Sequence, residues 1–213
     1  MKSESFNLVF PDVEQADEDG LLCIGGNLNV ETLLLAYQSG IFPWYNDGEP
    51  ILWWSPNPRM VLFPKKLKIS KSAQQIFNKN KFEITYNNAF ESVIKACSNS
   101  KRKEGDGTWI NNEMIDAYVE LHKKGIAISV EVWQEKKLVG GLYGVDLGSI
   151  FCGESMFSLV SNASKIGFIH LVKKLENKNY KLIDCQVYTE HLEKLGAEMI
   201  SRELFLKILK PIV

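Results

Sequence analysis

Apolar residues recur at helical spacing in some stretches of the chain and alternate with polar ones in others. The switches between these two periods mark out the elements. Over 111–124, Met114, Ile115, Tyr118 and Leu121 share one helical face, and Gly125 ends the run. Over 162–178, Ile166, Ile169, His170 and Leu175 form the buried stripe of a longer helix. Further helices are expected at 70–79, 88–98, 189–195 and 201–210, with strands at 82–86, 126–134, 137–145, 149–157, 181–187 and 197–200. The polar turn Gln134-Glu-Lys136 between two strand-like runs predicts a hairpin. Hairpin, strand, long helix, strand, helix, strand is the order of an acetyltransferase-like domain with a mixed sheet.

The first sixty residues follow another pattern. Turn formers and aromatics dominate, as in Gly25-Gly26-Asn27, Phe42-Pro-Trp-Tyr45, Asp47-Gly48 and Trp53-Trp-Ser-Pro56. One helix is expected at 29–38, with Asn29 as its N-cap and Gly40 as its stop. The rest should be turns and short extended pieces. The expected fold class is therefore α+β: a small N-terminal domain over 1–62 and an acetyltransferase-like mixed-sheet C-terminal domain over 63–213.

Composition changes this picture little. With 213 residues, 45% hydrophobic and 24% charged, the chain is of ordinary globular type. Its four cysteines are widely spaced and do not pair with the three histidines at metal-ligand spacing, so reduced thiols are expected rather than zinc. Neither a signal pattern nor a membrane-length apolar run is visible, which points to a cytoplasmic protein with no membrane partner.

Charge is more informative in its distribution than in its sum. Residues 1–58 hold nine acids and one base, whereas the remainder holds 24 bases and 17 acids. Seven bases and no acid lie from Arg59 to Lys81, and Lys101, Arg102 and Lys103 form a second cluster. Such runs suit a phosphate backbone and equally suit a solvated helix face.

Candidate chemistry sits in two short strands, Phe151-Cys-Gly-Glu-Ser-Met-Phe157 and Leu182-Ile-Asp-Cys-Gln186. Strand alternation places Cys152, Glu154 and Met156 on one face, and Asp184 and Gln186 on one face of the other. If the strands are neighbours, two carboxylates and an amide converge on an apolar patch. Burying them costs several kcal/mol unless each is bonded, paired or used. A coenzyme A acyltransferase would need a glycine-rich turn after the central strand to cradle pyrophosphate, and Ser158-Leu-Val-Ser-Asn-Ala-Ser164 has no glycine. A non-catalytic binding module is the other rival, and it leaves Glu154, Asp184 and Gln186 without a purpose.

Several segments in order resemble the leucyl/phenylalanyl-tRNA–protein transferases. They are Gly20-Leu-Leu-Cys-Ile-Gly-Gly-Asn-Leu28, Gly40-Ile-Phe-Pro-Trp-Tyr45, Trp53-Trp-Ser-Pro-Asn-Pro-Arg59, Gly107-Thr-Trp-Ile110 and Gly140-Gly-Leu-Tyr-Gly144, with the two strands above, Asn162-Ala-Ser-Lys165 and His191-Leu-Glu-Lys-Leu-Gly-Ala197. Asn27, where Asp is common, and the short end at Val213 depart from the pattern.

The resemblance implies a bacterial aminoacyltransferase that needs no cofactor. It would move Leu or Phe, with Met a third candidate, from aminoacyl-tRNA to the N-terminal amine of proteins beginning with Lys or Arg. The new terminus would mark those proteins for degradation. Gln186 would face the attacking amine, Asp184 would stand behind it, and Glu154 would hold the donor's α-ammonium. Asp184 and a water remain alternative destinations for the proton. Phe151, Met156 and Ile183 match pocket positions, although Ile183 alternates away from Asp184 and needs a twisted or bulged strand. Trp44 and Trp109 would flank the terminal adenosine, and the basic run from Arg59 would meet the acceptor stem. A monomer is expected.

Overall fold

The computed structural model describes residues 9–100 and 110–210. Its N-terminal part is a three-stranded antiparallel sheet of β1 (Leu21–Ile24), β2 (Phe42–Pro43) and β3 (Leu52–Trp54), in the order β1-β3-β2, with helix α1 (Val30–Gln38). Asn29 caps α1 by accepting the Thr32 N–H at 2.8 Å, and Gly40 at φ +77° follows its end.

The second sheet has seven strands. The elements run in chain order β4 (Arg59–Leu62), α2 (Lys71–Asn78), β5 (Glu83–Tyr86), α3 (Phe90–Ser98), α4 (Asn112–Lys123), β6 (Ala127–Gln134), β7 (Lys137–Asp146), β8 (Ile150–Ser158), α5 (Ala163–Asn177), β9 (Leu182–Gln186), α6 (Glu190–Lys194), β10 (Glu198–Ile200) and α7 (Arg202–Leu209). Their spatial order is β10-β4-β9-β8-β7-β6-β5. β5 to β8 form an antiparallel meander, and the expected β6–β7 hairpin turns through Glu135 and Lys136, both at positive φ. β8 and β9 run parallel, joined across α5. This is the acetyltransferase-like mixed sheet that the element order predicts.

β4 lies at the end of the segment expected to form the N-terminal domain. It inserts between β9 and β10, antiparallel to both, so residues 59–62 belong to the large sheet. The chain thus ties its two parts together through a buried strand. One core, with Leu33, Tyr37, Trp53, Tyr118 and Phe205, fills the side of the large sheet that faces the N-terminal part; Phe151, Phe168, Leu171, Ile183 and others pack beneath α5 on the opposite side. Among the described residues no helix is long and apolar enough to cross a membrane.

Candidate active site

The parallel ladder between β8 and β9 pairs Ile150 with Leu182, Phe151 with Ile183 and Cys152 with Asp184, and there it ends. β8 continues beside β7 as far as Ser158. Beyond the last pair the two strands part, and a cavity of about 400 Å³ lies in the gap, lined by Glu154, Met156, Ile183, Asp184, Gln186 and Trp44 among others. Both strands break their register at this point. On β8, Tyr143 pairs with Ser155 and Gly144 with Gly153, which leaves Glu154 as the extra residue of a bulge. On β9, Met60 pairs with Gln186 and Val61 with Asp184, so Cys185 is extra.

The bulge corrects the expected alternation. Cys152, Glu154 and Met156 do not share a face: Cys152 packs in the core toward the N-terminal part, whereas Met156 packs with Phe151 and Ile183 under α5. Glu154 points toward the core that holds α1 and α4. There its Oε1 accepts from Tyr37 Oη at 2.7 Å and its Oε2 from Tyr118 Oη at 3.1 Å. The two tyrosine hydroxyls also lie against each other, so the three contacts share the hydroxyl protons and, when Glu154 is protonated, its carboxyl proton as well. Burial raises the Glu154 carboxyl to a pKa of about 7, and the hydrogen bonds from Tyr37, Tyr118 and Gln186 oppose that rise.

Gln186 reaches the same carboxylate. Its Nε2 donates to Glu154 Oε1 at 2.8 Å, which fixes the amide so that its carbonyl oxygen is the end left for a substrate. The residue stands at φ +65°, inside a three-residue turn closed by Val187 N–H to Cys185 O at 2.8 Å. Left-handed backbone at a non-glycine residue costs about 1 kcal/mol or more. The Gln186 N–H donation to Asp184 Oδ1 at 2.9 Å helps to hold it.

Asp184 is itself tightly held. Arg59 donates Nε to Oδ1 at 2.8 Å and Nη2 to Oδ2 at 2.7 Å, and both side chains are almost wholly buried. Phe42 and Phe205 cover the guanidinium, at 4.7 and 4.8 Å from their ring centres. The expected phosphate-binding role for Arg59 is therefore overturned, because this arginine is sealed inside the protein. Lys65, Lys66, Lys68, Lys71, Lys79 and Lys81 of the same run are exposed.

Phe151, Met156 and Ile183 form one apolar wall with Phe168 of α5. Ile183 reaches the cavity, even though Asp184 faces the other way, because the site lies between the strands rather than on one face of the sheet. Trp44, 43% exposed, stands on the rim, and its carbonyl accepts from Trp54 Nε1 at 2.6 Å. Trp109 and the cluster from Lys101 to Lys103 lie outside the described residues. After β8, the Ser164 N–H is bonded at 3.1 Å by the Ser158 hydroxyl, so a backbone donor that pyrophosphate would use is already engaged.

Sequence reasoning missed Tyr37, Tyr118 and Arg59. Tyr118 reads as a packing residue of its helix stripe, and Tyr37 lies within the helix expected at 29–38. Their hydroxyls carried no separate signal.

The mixed sheet parts between its two parallel strands around the Glu154 carboxylate and an oriented Gln186 amide, an arrangement suited to a transferase. Comparison with known proteins narrows the class. Residues 61–210 match the family model for leucyl/phenylalanyl-tRNA protein transferase, residues 26–57 match that for its N-terminal domain, and the chain belongs to this family. The leucyl/phenylalanyl-tRNA–protein transferase of Flavobacterium johnsoniae is 63% identical over 204 residues, covering 96% of each chain. That of Christiangramia forsetii is 59% identical over 202 residues, covering 94% of this chain and 95% of its own. Among solved structures, a conserved protein from Staphylococcus epidermidis gives a TM-score of 0.47 at 9% identity, covering 85% of this chain and 68% of that one.

Proposed function

We propose that this aminoacyltransferase moves Leu or Phe, with Met a third candidate, from aminoacyl-tRNA to the N-terminal amine of proteins that begin with Lys or Arg, and so marks them for degradation. It would act in the cytoplasm as a monomer. The observation that carries the reading is the Glu154–Gln186 hydrogen bond of 2.8 Å inside an apolar cavity. A carboxylate there suits the donor's α-ammonium, the Phe151, Met156 and Ile183 wall suits its side chain, and the free Gln186 carbonyl suits the attacking amine.

The aminoacyl ester is already activated, so orientation supplies most of what the reaction needs. The acceptor's ammonium first yields one proton, and its nitrogen then bonds to the ester carbonyl carbon. Collapse of the tetrahedral intermediate breaks the bond to the ribose oxygen, which takes a second proton from the same nitrogen and leaves as a hydroxyl. Gln186 orients the amine through its carbonyl oxygen and cannot keep a proton. Arg59 occupies both Asp184 oxygens, which favours water over Asp184 as the destination of the first proton. An α-amine of pKa about 7.7–8.0 needs no strong base.

Trp44 would stack on the terminal adenosine together with Trp109, and the exposed lysines from Lys65 to Lys81 would meet the acceptor stem. The test is transfer of labelled leucine from leucyl-tRNA to a peptide beginning with Arg, beside the same peptide acetylated at its N-terminus. Transfer to the free amine alone supports the reading. Binding of the charged tRNA without transfer to either peptide removes it.

A further inference from the structure

Beside the cavity lies a second group of side chains that the transfer chemistry leaves unused, His191 on its lining and Lys165 close enough for its charge to act on that ring. α5 contributes Phe168 to the cavity, and Lys165 stands three residues earlier, on the same helical face and one turn nearer the helix start. Lys165 is half-buried, and among the described residues it has no ion-pair partner. A lysine loses hydration when partly buried and gains nothing in return unless an anion meets it. α6 contributes His191 and Leu192 to the same cavity from the other side of the gap. The two helices follow β8 and β9 directly, so both residues lie where the carboxyl ends of the parallel strands separate.

The charges around this pair leave Lys165 uncompensated. Lys194 of α6 is bridged to Glu190 at 2.6 Å, and Glu193 accepts from Tyr188 Oη at 2.8 Å. Glu193 is two residues from His191 and so projects from the opposite side of α6. Burial first, then the Lys165 and Lys194 charges, hold the His191 imidazole below its ordinary pKa. An anion at this place would meet the half-buried Lys165 ammonium and the exposed His191 ring together.

We propose that Lys165 and His191 seat the phosphate that joins the last nucleotide of the charged tRNA to the one before it. The proposal rests on the aminoacyl-tRNA reading above and adds a subsite to it. Trp44 lies on the rim of the same cavity, so a base against that ring and a phosphate at Lys165 and His191 would belong to one nucleotide. Lys165 supplies a fixed charge, and His191 supplies a ring N–H whose proton affinity rises when the phosphate arrives. These contacts bind and position the donor and take no part in bond making.

The test compares two small donors, the leucyl ester of adenosine and the leucyl ester of adenosine 5′-monophosphate, with a peptide beginning with Arg as acceptor. The wild-type enzyme should use the phosphorylated donor with kcat/KM about tenfold higher, the scale of one hydrogen bond to a charged group. In Lys165→Met, which keeps an apolar stem, and in His191→Gln, that ratio should fall toward one. Lys165→Arg should restore most of it. With whole leucyl-tRNA, Lys165→Met should lower the slope of log kcat/KM against log salt by about one. Equal use of both esters by the wild-type enzyme, or an unchanged ratio in both variants, would overturn the phosphate seat and leave the transfer reading standing. Failure of the wild-type enzyme to use either ester or leucyl-tRNA would overturn both.

Discussion

Arg59 and Asp184 meet across 125 residues of sequence in a two-pronged ion pair, with N–O distances of 2.8 and 2.7 Å, sealed between Phe42 and Phe205. The pair binds β4 to β9, and its aromatic cover comes from the N-terminal sheet and from α7. Asp184 in turn accepts the Gln186 N–H that helps to hold the left-handed turn. The Gln186 amide is thereby braced by groups from both ends of the chain.

Breaking this pair from one side should be costly. Arg59→Met leaves a buried carboxylate without its cation and should lower the unfolding free energy by about 3–5 kcal/mol. Arg59→Met combined with Asp184→Leu should cost clearly less than the two single changes added together. Urea denaturation of the four proteins measures both effects, and strict additivity would show that the pair is not coupled.

The pH dependence follows from Glu154. Its pKa is raised to about 7, so the folded protein holds this proton more tightly than the unfolded chain does. The associated stability is present below the ordinary carboxylate range and is lost as pH rises through 7. Relative to Glu154→Gln, the wild type should therefore lose stability over that window. Activity should change in the opposite sense, since the donor's ammonium needs the ionised carboxylate. At saturating acceptor, kcat/KM for the donor should climb as pH rises toward 7 and fall again as the donor's own ammonium, of ordinary pKa about 7.7–8.0, loses its proton; Glu154→Gln should lack the acid limb.

Tyr37 and Tyr118 act on the same group as positioning residues. Burial and the neighbouring Glu154 keep both phenols well above their ordinary pKa, so they remain hydrogen-bond donors. Tyr37→Phe removes the bond that lowers the Glu154 pKa, and the acid limb of kcat/KM should move to higher pH. A merely structural role would lower the rate at every pH and leave the limb in place.

Much of this was legible from pattern. The helices and the strands of the large sheet from β5 onward follow apolar periodicity, and Glu154, Asp184 and Gln186 stood out as polar groups in apolar strands. The bulge at Glu154 did not show, because one inserted residue leaves composition unchanged while it reverses every face beyond it. Arg59 read as the first member of a basic run; its burial follows from the insertion of β4 between β9 and β10, a pairing between distant segments. β2 and β3, with two and three residues, are too short for any period to appear.

Pocket depth should set donor preference. Met156 lines the apolar wall with Phe151 and Ile183. Met156→Ala deepens that wall and should move the ratio of kcat/KM for leucyl over phenylalanyl donors toward Phe by roughly tenfold, the scale of one or two methylene contacts. Competition between the two charged tRNAs reads the ratio directly, and an unchanged value would remove Met156 from the pocket wall.

The most direct test of the Glu154–Gln186 arrangement is a single-turnover measurement of leucine transfer by Gln186→Ala, at saturating leucyl-tRNA and Arg-peptide. If the amide orients the attacking amine, the chemical step should slow by about 100-fold or more while the charged tRNA still binds. A wild-type rate in that variant would contradict the arrangement, because nothing else in the account holds the nucleophile in place.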